Sequence, residues 1–375
     1  MKINFAKLFE PYTDPVSGIT VYILSKKAAP VQQSFYYINT TISPDNRYLW
    51  FYCAFPPAGS REYGRTLGVA DLQKMTVTQF PETLFDNASP VIDPATGGVY
   101  WCTREALCYR SPDPTCKAEV IAVLPDELYG RRLIRRIATH LTFSPDRSEL
   151  FLDSLAGDTS FGGTISLSTR QLTVWKTFPR DLKHAQFSPT NKNLVMVAQD
   201  NYHHPLTGEH FGYDNRVWFV SRDGALRPLF ENSTRLTHEW WDSDGEHIYA
   251  VNNFDLFGGP GIVRIDIESG SAENVLPGMY WHAMNYHDKY FACDRTLKGF
   301  YRGCPSSIHF FNRKTGKDVA VISHNPEHHT PPAMYHIDPH PHFSEDGSLF
   351  IFTTTVRGQV DVAIAPVEEL VKKTE

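Results

Sequence analysis

Apolar and polar residues alternate in this chain in a pattern that returns about every 50 residues. Each copy has an apolar residue, a turn rich in Pro, Asp, Asn or Gly, and then a run of β-branched and aromatic residues, as in two strands joined by a tight turn. Successive copies are 50, 51, 44, 54, 44 and 58 residues apart. The seven copies are ISPDNRYLWFYC at 42, IDPATGGVYWCT at 92, FSPDRSELFLDS at 143, FSPTNKNLVMVAQ at 187, WDSDGEHIYAVN at 241, the degenerate NYHDKYFACD at 285, and FSEDGSLFIFTT at 343.

The repeat predicts an all-β fold, because further strands such as RVWFVSRDGALRPLF fill the space between copies. Four short strands per repeat are typical of a propeller blade, so we expect a seven-bladed β-propeller with four antiparallel strands per blade, as a single domain over residues 1–375. The N-terminal strand GITVYILS (18–25) should be the outer strand of the last blade and close the ring. Only DELYGRRLIRR (126–136) and VEELVKK (367–373) have the pattern of short helices.

Histidine recurs at one position of the repeat, four residues before the second residue of each copy. The first two copies have Asn39 and Ser89 there, and the other five have histidine, in a chain with 16 histidines among 375 residues. A single histidine at a strand start is usually a hydrogen-bonded core residue. Five in register on the strands that line a propeller axis predict a site for proton transfer, metal binding or both at one end of the channel. These histidines are His140, His184, His238, His282 and His340.

The last of these histidines lies in a richer cluster, YHIDPHPHFSEDG. It places His336, Asp338 and His342 beside His340, and His282 belongs to the neighbouring blade. We therefore predict that His282 and His340 bind one divalent cation together with His336, Asp338 or His342. A nitrogen-rich ligand set with one oxygen suits Mn, Zn or Ni and suits Ca less well.

A second polar stretch, QDNYHHPLTGEHFGYDNRVWF, follows the strand that carries His184. Loops above a propeller channel often hold the substrate, which makes the polar side chains here candidates for substrate binding or catalysis. A solvated surface loop is the alternative interpretation. The candidates are Tyr202, His203, His204, His210, Tyr213 and Arg216.

Composition narrows the class of protein. Hydrophobic residues make up 41% and charged residues 21%, which is the balance of a folded globular chain, and the net charge of -6 argues against a nucleic-acid partner. No apolar run spans a membrane and no signal peptide is recognisable, so we expect a cytoplasmic protein, or a secreted or periplasmic one if a signal peptide has been removed. The six cysteines form no CxxC pair and are expected mostly as buried thiols, with a Cys108–Cys116 bridge as the alternative. The oligomeric state stays open.

Four stretches, YTDPVSGITVYILS, DNRVWFVSRDG, THEWWDSDG and DPHPHFSEDG, resemble the oligogalacturonate lyases of pectin degradation, and the resemblance runs over nearly the whole chain. It implies a seven-bladed propeller with a divalent metal, typically manganese, in its channel. It also implies His238 as the base, Arg216 as the partner of the substrate carboxylate, and His282 and His340 as metal ligands. Ulvan lyases and other uronate-cleaving propeller lyases are similar more loosely.

The chain departs from this family at two metal positions. Tyr335 and Asp338 stand where the family has a glutamine and a further histidine, with His336 between them. Asp338 is a competent ligand and His336 offers another, so the identity of the metal and of the substrate stays open.

The chemistry implied is β-elimination from a uronic-acid-containing oligo- or polysaccharide. The enzyme removes the C5 proton, next to the carboxylate, and expels the glycosidic oxygen from C4. An arginine or a divalent cation stabilises the developing enolate, and a neutral imidazole is a suitable base near neutral pH. We expect Arg216 to bind the carboxylate, His238 to be the base, Tyr202 or His184 to be the acid, and His140 to be a further catalytic candidate.

Two other functions remain open from the residues alone. A propeller can be a non-catalytic interaction platform, although such a platform has no reason to collect histidines in its channel. A metal-dependent hydrolase or epimerase acting on sugars is the other alternative. The chain has no Gly-x-Ser-x-Gly motif, which disfavours peptidase or esterase chemistry. Ultraviolet absorbance of an unsaturated product separates the lyase from both.

Overall fold

The computed structural model describes residues 7–57, 64–85, 90–129, 132–204, 207–254, 256–297, 305–328 and 337–375. Its strands form seven antiparallel sheets, each a blade of a β-propeller, as the repeat predicts. The chain begins with β1(Phe9–Thr13) and β2(Thr20–Leu24), which belong to the seventh blade.

Blades one to three follow, each listed from its inner to its outer strand. They are β3(Val31–Gln33), β4(Tyr48–Ala54), β5(Arg65–Asp71) and β6(Thr76–Phe85); β7(Val91–Ile92), β8(Val99–Cys102), β9(Ala106–Arg110) and β10(Glu119–Val123); and β11(Ile134–Ile137) with β12(Thr142–Phe143), β13(Glu149–Ala156), β14(Thr159–Ser166) and β15(Leu172–Phe178). In the third blade the inner strand is divided, since β11 and β12 both pair with β13. The gap between them contains His140.

Blades four to seven complete the ring. They are β16(Leu182–Phe187), β17(Leu194–Gln199), β20(Val217–Ser221) and β21(Leu226–Pro228); β22(Thr237–Trp241), β23(His247–Asn252), β24(Gly261–Asp266) and β25(Ala272–Pro277); β26(Ala283–Tyr286), β27(Tyr290–Thr296), β28(Ser306–Asn312) and β29(Lys317–Asn325); and β30(His342–Phe343), β31(Leu349–Thr354) and β32(Asp361–Pro366). The fourth blade also carries a small separate hairpin of β18(Tyr202–His203) and β19(His210–Phe211).

The ring is closed by a strand from the other end of the chain. In the seventh blade β2 pairs with β32, with Tyr22 opposite Ile364 and Ile23 opposite Ala363. This is the closing strand that the sequence predicts. A further strand, β1, pairs outside β2 and makes this sheet five-stranded. Pro11 lies in β1, which is consistent with an edge strand because proline cannot donate a ladder hydrogen bond.

The repeated Ser-Pro-Asp or similar turn is held by one hydroxyl. Ser144 donates to Asp146 Oδ1 at 2.7 Å and accepts from the backbone N–H of Glu149 at 3.1 Å. Ser43 and Ser344 make the same two bonds in the first and seventh blades. The hydroxyl therefore closes the turn between the first two strands of a blade, and this explains why the motif recurs at this place.

Two helices are present in the described residues, α1(Asp126–Tyr129) and α2(Val367–Thr374). The second confirms the predicted C-terminal helix and packs Val367 and Leu370 against apolar residues of the last blades. The first is shorter than predicted, because Ile134–Ile137 is strand β11. Arg136 in this strand is buried and paired with two carboxylates, so tertiary contacts outweigh the local helical pattern. None of the helices in the described part of the chain is long and apolar enough to cross a membrane.

The cysteines of the described residues are thiols. Cys53, Cys102 and Cys293 are buried, as expected. Cys108 is buried and Cys116 is exposed, and both are free, so the alternative of a Cys108–Cys116 bridge is wrong. Cys304 lies outside the described residues.

Candidate active site in the central channel

The five histidines in register converge around two tyrosines. Adjacent rings are close, with centroid distances of 4.6 Å for His140–His184, 4.4 Å for His238–His282 and 4.5 Å for His282–His340. The Tyr36 ring lies among them, 4.6 Å from His140 and 4.8 Å from His340. The five histidines come from blades three to seven and Tyr36 from the first blade, so residues of six blades form one aromatic cluster at the axis.

The backbone that presents three of these histidines is irregular. His184, His238 and His340 have φ of 55°, 49° and 45°, in the left-handed region that residues other than glycine seldom adopt. The first two coincide with register shifts in the pairing of β16 with β17 and of β22 with β23. The sequence predicts the inward direction from regular strand alternation; in the structure bulges with left-handed residues turn the imidazoles to the axis, as is frequent beside active sites.

Within the described part of the chain, three side chains could together hold a metal ion. His282, Asp338 and His340 are buried, and one ligand atom from each lies within 4.8 Å of the others. The ring of His282 is fixed by Asp294, which accepts from its Nδ1 at 2.9 Å and from its backbone N–H at 2.6 Å. Its Nε2 is buried without a hydrogen-bond partner among the described residues. A carboxylate on the far nitrogen of a histidine with an unused Nε2 is the usual arrangement of a metal-binding imidazole, so the group fits a divalent cation.

The other predicted ligands are placed differently. His342 is buried, its Nδ1 faces the carbonyl oxygen of His340 at 2.9 Å, and its Nε2 accepts from the backbone N–H of Thr41 at 3.3 Å. Because both ring nitrogens are used by the backbone, His342 is not part of the candidate metal group. Burial lowers its pKa to about 4, which keeps the ring neutral. His336 lies outside the described residues.

Arg216 is clamped between two carboxylates. Glu239 accepts from its Nε at 2.8 Å and from one terminal nitrogen at 3.3 Å, while Asp200 pairs with the other terminal nitrogen at 2.9 Å. The two acids differ in exposure, with the side chain of Glu239 2% exposed and that of Asp200 35% exposed. Lys183 also binds Asp200, at 3.0 Å. Burial opposes ionisation of Asp200, but the charges of Arg216 and Lys183 hold its pKa below the usual value.

His140 and His184 form a hydrogen-bonded pair of imidazoles. The Nδ1 of His184 and the Nε2 of His140 are 2.6 Å apart, so one of them donates and the other accepts. Burial and the nearby charge of Arg216 lower the pKa of His140 to about 3, and burial together with His140 lowers that of His184 well below its usual value. Both rings are therefore neutral near neutral pH.

The remaining candidates lie beside the channel in the fourth blade. Tyr202 and His204 line a cleft of about 450 Å³, and His203 is exposed with its ring 4.8 Å from that of His210. Tyr213 is half-buried and close enough to Arg216 and Asp200 for both charges to affect its pKa, which burial raises. Tyr213 therefore lies near Arg216 and its carboxylate partners. Tyr202, His203 and His204 instead lie at the cleft or in the β18–β19 hairpin beside it.

Sequence reasoning missed several residues of the site. The rings of Tyr36 and Tyr37 are 4.6 Å apart, and the Tyr37 hydroxyl donates to the carbonyl oxygen of Glu239 at 3.3 Å. Burial raises the pKa of both tyrosines. They come from SFYYINT, just before Asn39, the position where the first copy of the repeat lacks histidine. Two adjacent tyrosines beside the position where the first copy has no histidine are a sequence signal for this part of the site. Glu239 directly follows His238 in the Thr-His-Glu motif, whereas Asp200 shows no signal in the repeat.

The fold and the channel define a class: a seven-bladed β-propeller with a buried two-histidine, one-carboxylate group and a clamped arginine at its axis. No protein-family model matches the chain. Over 399 aligned positions it is 24% identical to the oligogalacturonate lyase of Dickeya dadantii, covering 99% of this chain and 98% of that one. It is 23% identical to the oligogalacturonide lyase of Pectobacterium atrosepticum, covering 97% of each.

Solved structures agree with this similarity at the level of the fold. An oligogalacturonate lyase in complex with manganese superposes with a TM-score of 0.75 at 20% identity and covers 96% of each chain. The oligogalacturonate lyase of Vibrio parahaemolyticus superposes with a TM-score of 0.78 at 18% identity, covering 96% of this chain and 97% of that one. The resemblance to oligogalacturonate lyases predicted from four motifs is confirmed over nearly the whole chain.

Proposed function

We propose that this protein is a polysaccharide lyase that cleaves a uronic-acid-containing glycan by β-elimination. The observation that carries the proposal concerns two adjacent residues, His238 and Glu239. One contacts the candidate metal group, and the other binds the arginine that could hold a carboxylate. The ring of His238 lies against His282 of the candidate metal group, and Glu239, the next residue, holds Arg216. The proposed base is thus in contact with a proposed metal ligand, and its neighbour in sequence holds the proposed anion partner. Relatives similar over the whole length are named as lyases of this kind.

Arg216 is the proposed partner of the uronate carboxylate. Glu239 fixes one edge of the guanidinium plane from a buried position, so the arginine is oriented before substrate arrives. The other edge is bound by the more exposed Asp200, which Lys183 also holds. A substrate carboxylate would replace Asp200 on this edge, and Lys183 would keep Asp200 neutralised. Arginine suits this role because its planar fork matches a carboxylate.

His238 is the proposed base that takes the C5 proton. The electron pair of the C5–H bond passes into the enolate and then forms the C4–C5 double bond as the C4–oxygen bond breaks. The departing oxygen needs a proton. Tyr36 is the proposed acid, because its ring lies among the channel histidines and burial raises its pKa, so its hydroxyl keeps a proton to donate. The two acids expected from the sequence are less suited: His184 is a neutral imidazole bonded to His140, and Tyr202 lies in the cleft.

His282, Asp338 and His340 are the proposed ligands of a divalent cation, and manganese is favoured because a similar structure is a manganese complex. When bound, the cation supplies positive charge that stabilises the enolate formed from the uronate. Asp294 orients His282 for this purpose through the Nδ1 hydrogen bond.

The test is the formation of unsaturated product, followed by ultraviolet absorbance, when manganese-loaded protein meets a panel of uronate-containing oligosaccharides. We expect product from at least one member of the panel and none after chelation. Exchange of the C5 hydrogen with heavy water, without unsaturated product, would identify an epimerase instead. Absence of both reactions across the panel would contradict an enzyme of this class.

A further inference from the structure

A cleft beside the channel contains a second arginine, Arg180, that the proposed function does not use. The volume of the cleft, about 450 Å³, is in the range of small-molecule sites. Its wall also contains Gln199, the last residue of β17, and Asp200, which follows it. Because Asp200 binds Arg216, the cleft is adjacent to the proposed site for the uronate carboxylate.

Gln199 contacts both arginines. Its backbone carbonyl oxygen accepts from a terminal nitrogen of Arg216 at 3.4 Å, and its side-chain oxygen accepts from a terminal nitrogen of Arg180 at 3.2 Å. The same side-chain oxygen also accepts from Nε1 of Trp218 at 3.2 Å, which fixes its position. The two guanidinium groups are therefore separated by a single residue, a spacing within the reach of two linked pyranose rings.

Arg180 is held in place without using all of its hydrogen-bond donors. Its guanidinium lies over the ring of Trp218, 4.7 Å from the centroid, and the terminal nitrogen that binds Gln199 also binds Asp214 at 2.7 Å. Within the described residues, its Nε and its other terminal nitrogen form no hydrogen bond. A planar guanidinium fixed on an aromatic ring, with nitrogens still free, is suited to bind a carboxylate.

Asp214 is a carboxylate that a ligand can replace, as Asp200 is on Arg216. The side chain of Asp214 is 53% exposed and that of Asp200 is 35% exposed. Exposed ion pairs contribute little to stability, and water solvates the released carboxylate. Exchange of Asp214 for a carboxylate of the substrate therefore costs little.

The remaining acid of the lining, Asp158, has two exposed arginines beside it. Arg132 donates to the hydroxyl oxygen of Thr159 at 3.4 Å, and this hydroxyl donates to Asp158 at 3.3 Å. Arg135 and Asp158 are both close enough to Tyr202 for their charges to affect its pKa. The other aspartates of the lining are all in ion pairs, namely Asp181, Asp200 and Asp214. The charges around the cleft therefore do not oppose a second carboxylate.

We infer that Arg180 determines the specificity of the proposed lyase by binding the carboxylate of the sugar next to the cleaved uronate. The inference rests on the proposed function and narrows its substrate class to glycans with two adjacent uronates. Arg216 holds the carboxylate of the sugar that loses its C5 proton, and Arg180 takes that of the neighbour in exchange for Asp214. Gln199 keeps the two arginines at a fixed spacing.

Two disaccharides that differ by one methyl group test the inference. One is digalacturonate, and the other is the same disaccharide with the carboxylate of its non-reducing sugar converted to a methyl ester. The reducing sugar loses the C5 proton in both, because its O4 carries the glycosidic bond. We expect kcat/KM of the wild type to be about tenfold or more lower for the ester, which cannot form an ion pair with Arg180. Equal values for the two substrates would overturn the inference and leave the proposed lyase activity intact.

Arg180→Gln tests the residue itself. It should raise KM for digalacturonate about tenfold with kcat nearly unchanged, because the contact contributes to binding and not to proton transfer. KM for the ester should stay as in the wild type, whereas a merely structural defect of the cleft would raise KM for both substrates. Arg227→Gln is the matched control, since Arg227 also lies over an aromatic ring and pairs with an exposed carboxylate but is not part of the cleft lining. It should change neither value.

Asp214→Asn tests the exchange of carboxylates on Arg180. The amide competes less well for the guanidinium, so KM for digalacturonate should fall several-fold. A rise in this KM would mean that Asp214 belongs to the binding surface and that the exchange is wrong. If Arg180→Gln still discriminates between the two disaccharides and Arg135→Gln does not, the exposed Arg135 binds the neighbouring carboxylate and the assignment is wrong.

Failure of the proposed function can be distinguished from failure of this inference. If the wild type makes product from neither disaccharide, the proposed function fails. Calorimetric binding of digalacturonate that is weaker in Arg180→Gln but unchanged in Arg227→Gln would then still support the site at Arg180. Equal binding by the three proteins would refute it.

Discussion

Functional side chains of the channel are held by buried partners that the substrate would not touch. Asp294 binds the Nδ1 of His282, and Glu239 binds two nitrogens of Arg216. In each pair the partner is buried and binds one side of the functional group, so the nitrogens on the other side keep a defined direction. Orientation before binding lowers the cost of reaching the reactive geometry.

His238→Asn tests the proposed base. Turnover should fall by about 10²–10⁴-fold, because an amide cannot accept the C5 proton, with a melting temperature near that of the wild type. The rate of unsaturated-product formation and the melting temperature are measured together with bound metal, since the His238 ring is only 4.4 Å from that of His282. A folded variant that keeps more than about a tenth of the wild-type turnover would exclude the base role. Loss of metal would instead make His238 a ligand.

Asp200→Asn tests the exchange of carboxylates on Arg216. The amide competes less well than a carboxylate for the exposed edge of the guanidinium, so KM for a uronate substrate should fall several-fold while kcat changes little. Glu239→Gln is the contrasting variant, because it loosens the buried edge that orients the arginine and should lower kcat/KM. Should Asp200→Asn raise KM, Asp200 would be part of the binding surface and not a competitor.

Site residues could be predicted from the sequence where the same residue type occupies the same position in several copies of the repeat. The five histidines were found because a shared register marks a shared direction toward the axis, and Glu239 stands in a motif already noted for His238. Asp200 and Tyr36 were not predictable in this way. Asp200 follows the second strand of its blade, β17, and Tyr36 precedes the first copy of the repeat, so neither has a second copy for comparison. Their contacts come from other parts of the chain.

At the scale of strands, closure of the ring depends on β2. The apolar face of this strand is fully buried: Val21 is 0% exposed and Ile23 is 1% exposed. Its hydrogen bonds to β32 connect the start of the chain to its last blade. The strand was predictable because its β-branched pattern precedes the first repeat and has no other blade to join. The outer strand β1 was not, since the proline-containing FEPYT lacks such a pattern.

A pair of identical substitutions measures the contribution of β2. Val21→Ala should lower the free energy of unfolding by about 2 kcal/mol, from lost burial and the cavity left behind. Val16→Ala, at a position that is 79% exposed just before the strand, should change it by less than about 0.5 kcal/mol. Denaturant titration of both variants gives the two values. Equal midpoints would mean that the ring is stable without this strand's packing.

At the scale of the whole molecule, the candidate metal group connects neighbouring blades. His282 precedes β26 of the sixth blade, while Asp338 and His340 precede β30 of the seventh. A cation bound there would link two sheets that otherwise meet through side-chain packing. The position of this group at a blade boundary followed from the register of His282 and His340, but the choice of Asp338 over His342 depended on backbone contacts that only the folded chain shows.

Metal binding should therefore appear in global stability. Manganese at about 100 times its dissociation constant should stabilise the wild type by about 2.7 kcal/mol and raise its melting temperature. His282→Ala should bind about one equivalent less and show no such rise. Asp294→Asn should weaken metal binding about 10–100-fold without abolishing it, because it disturbs only the orientation of the ligand. Equal metal content in wild type and His282→Ala would refute the assignment.

The pairing of β2 with β32 also has a consequence during biosynthesis. A ribosome releases β2 before all seven blades and β32 after every other strand of the ring, so the buried face of β2 has no native partner while the blades are being made. Val21 and Ile23 would stay uncovered for that time, and apolar strands of this kind are bound by chaperones or lost to aggregation. The channel histidines of the final blades would be brought together only after ring closure. A chain interrupted late in translation would then be inactive although six of its blades are complete.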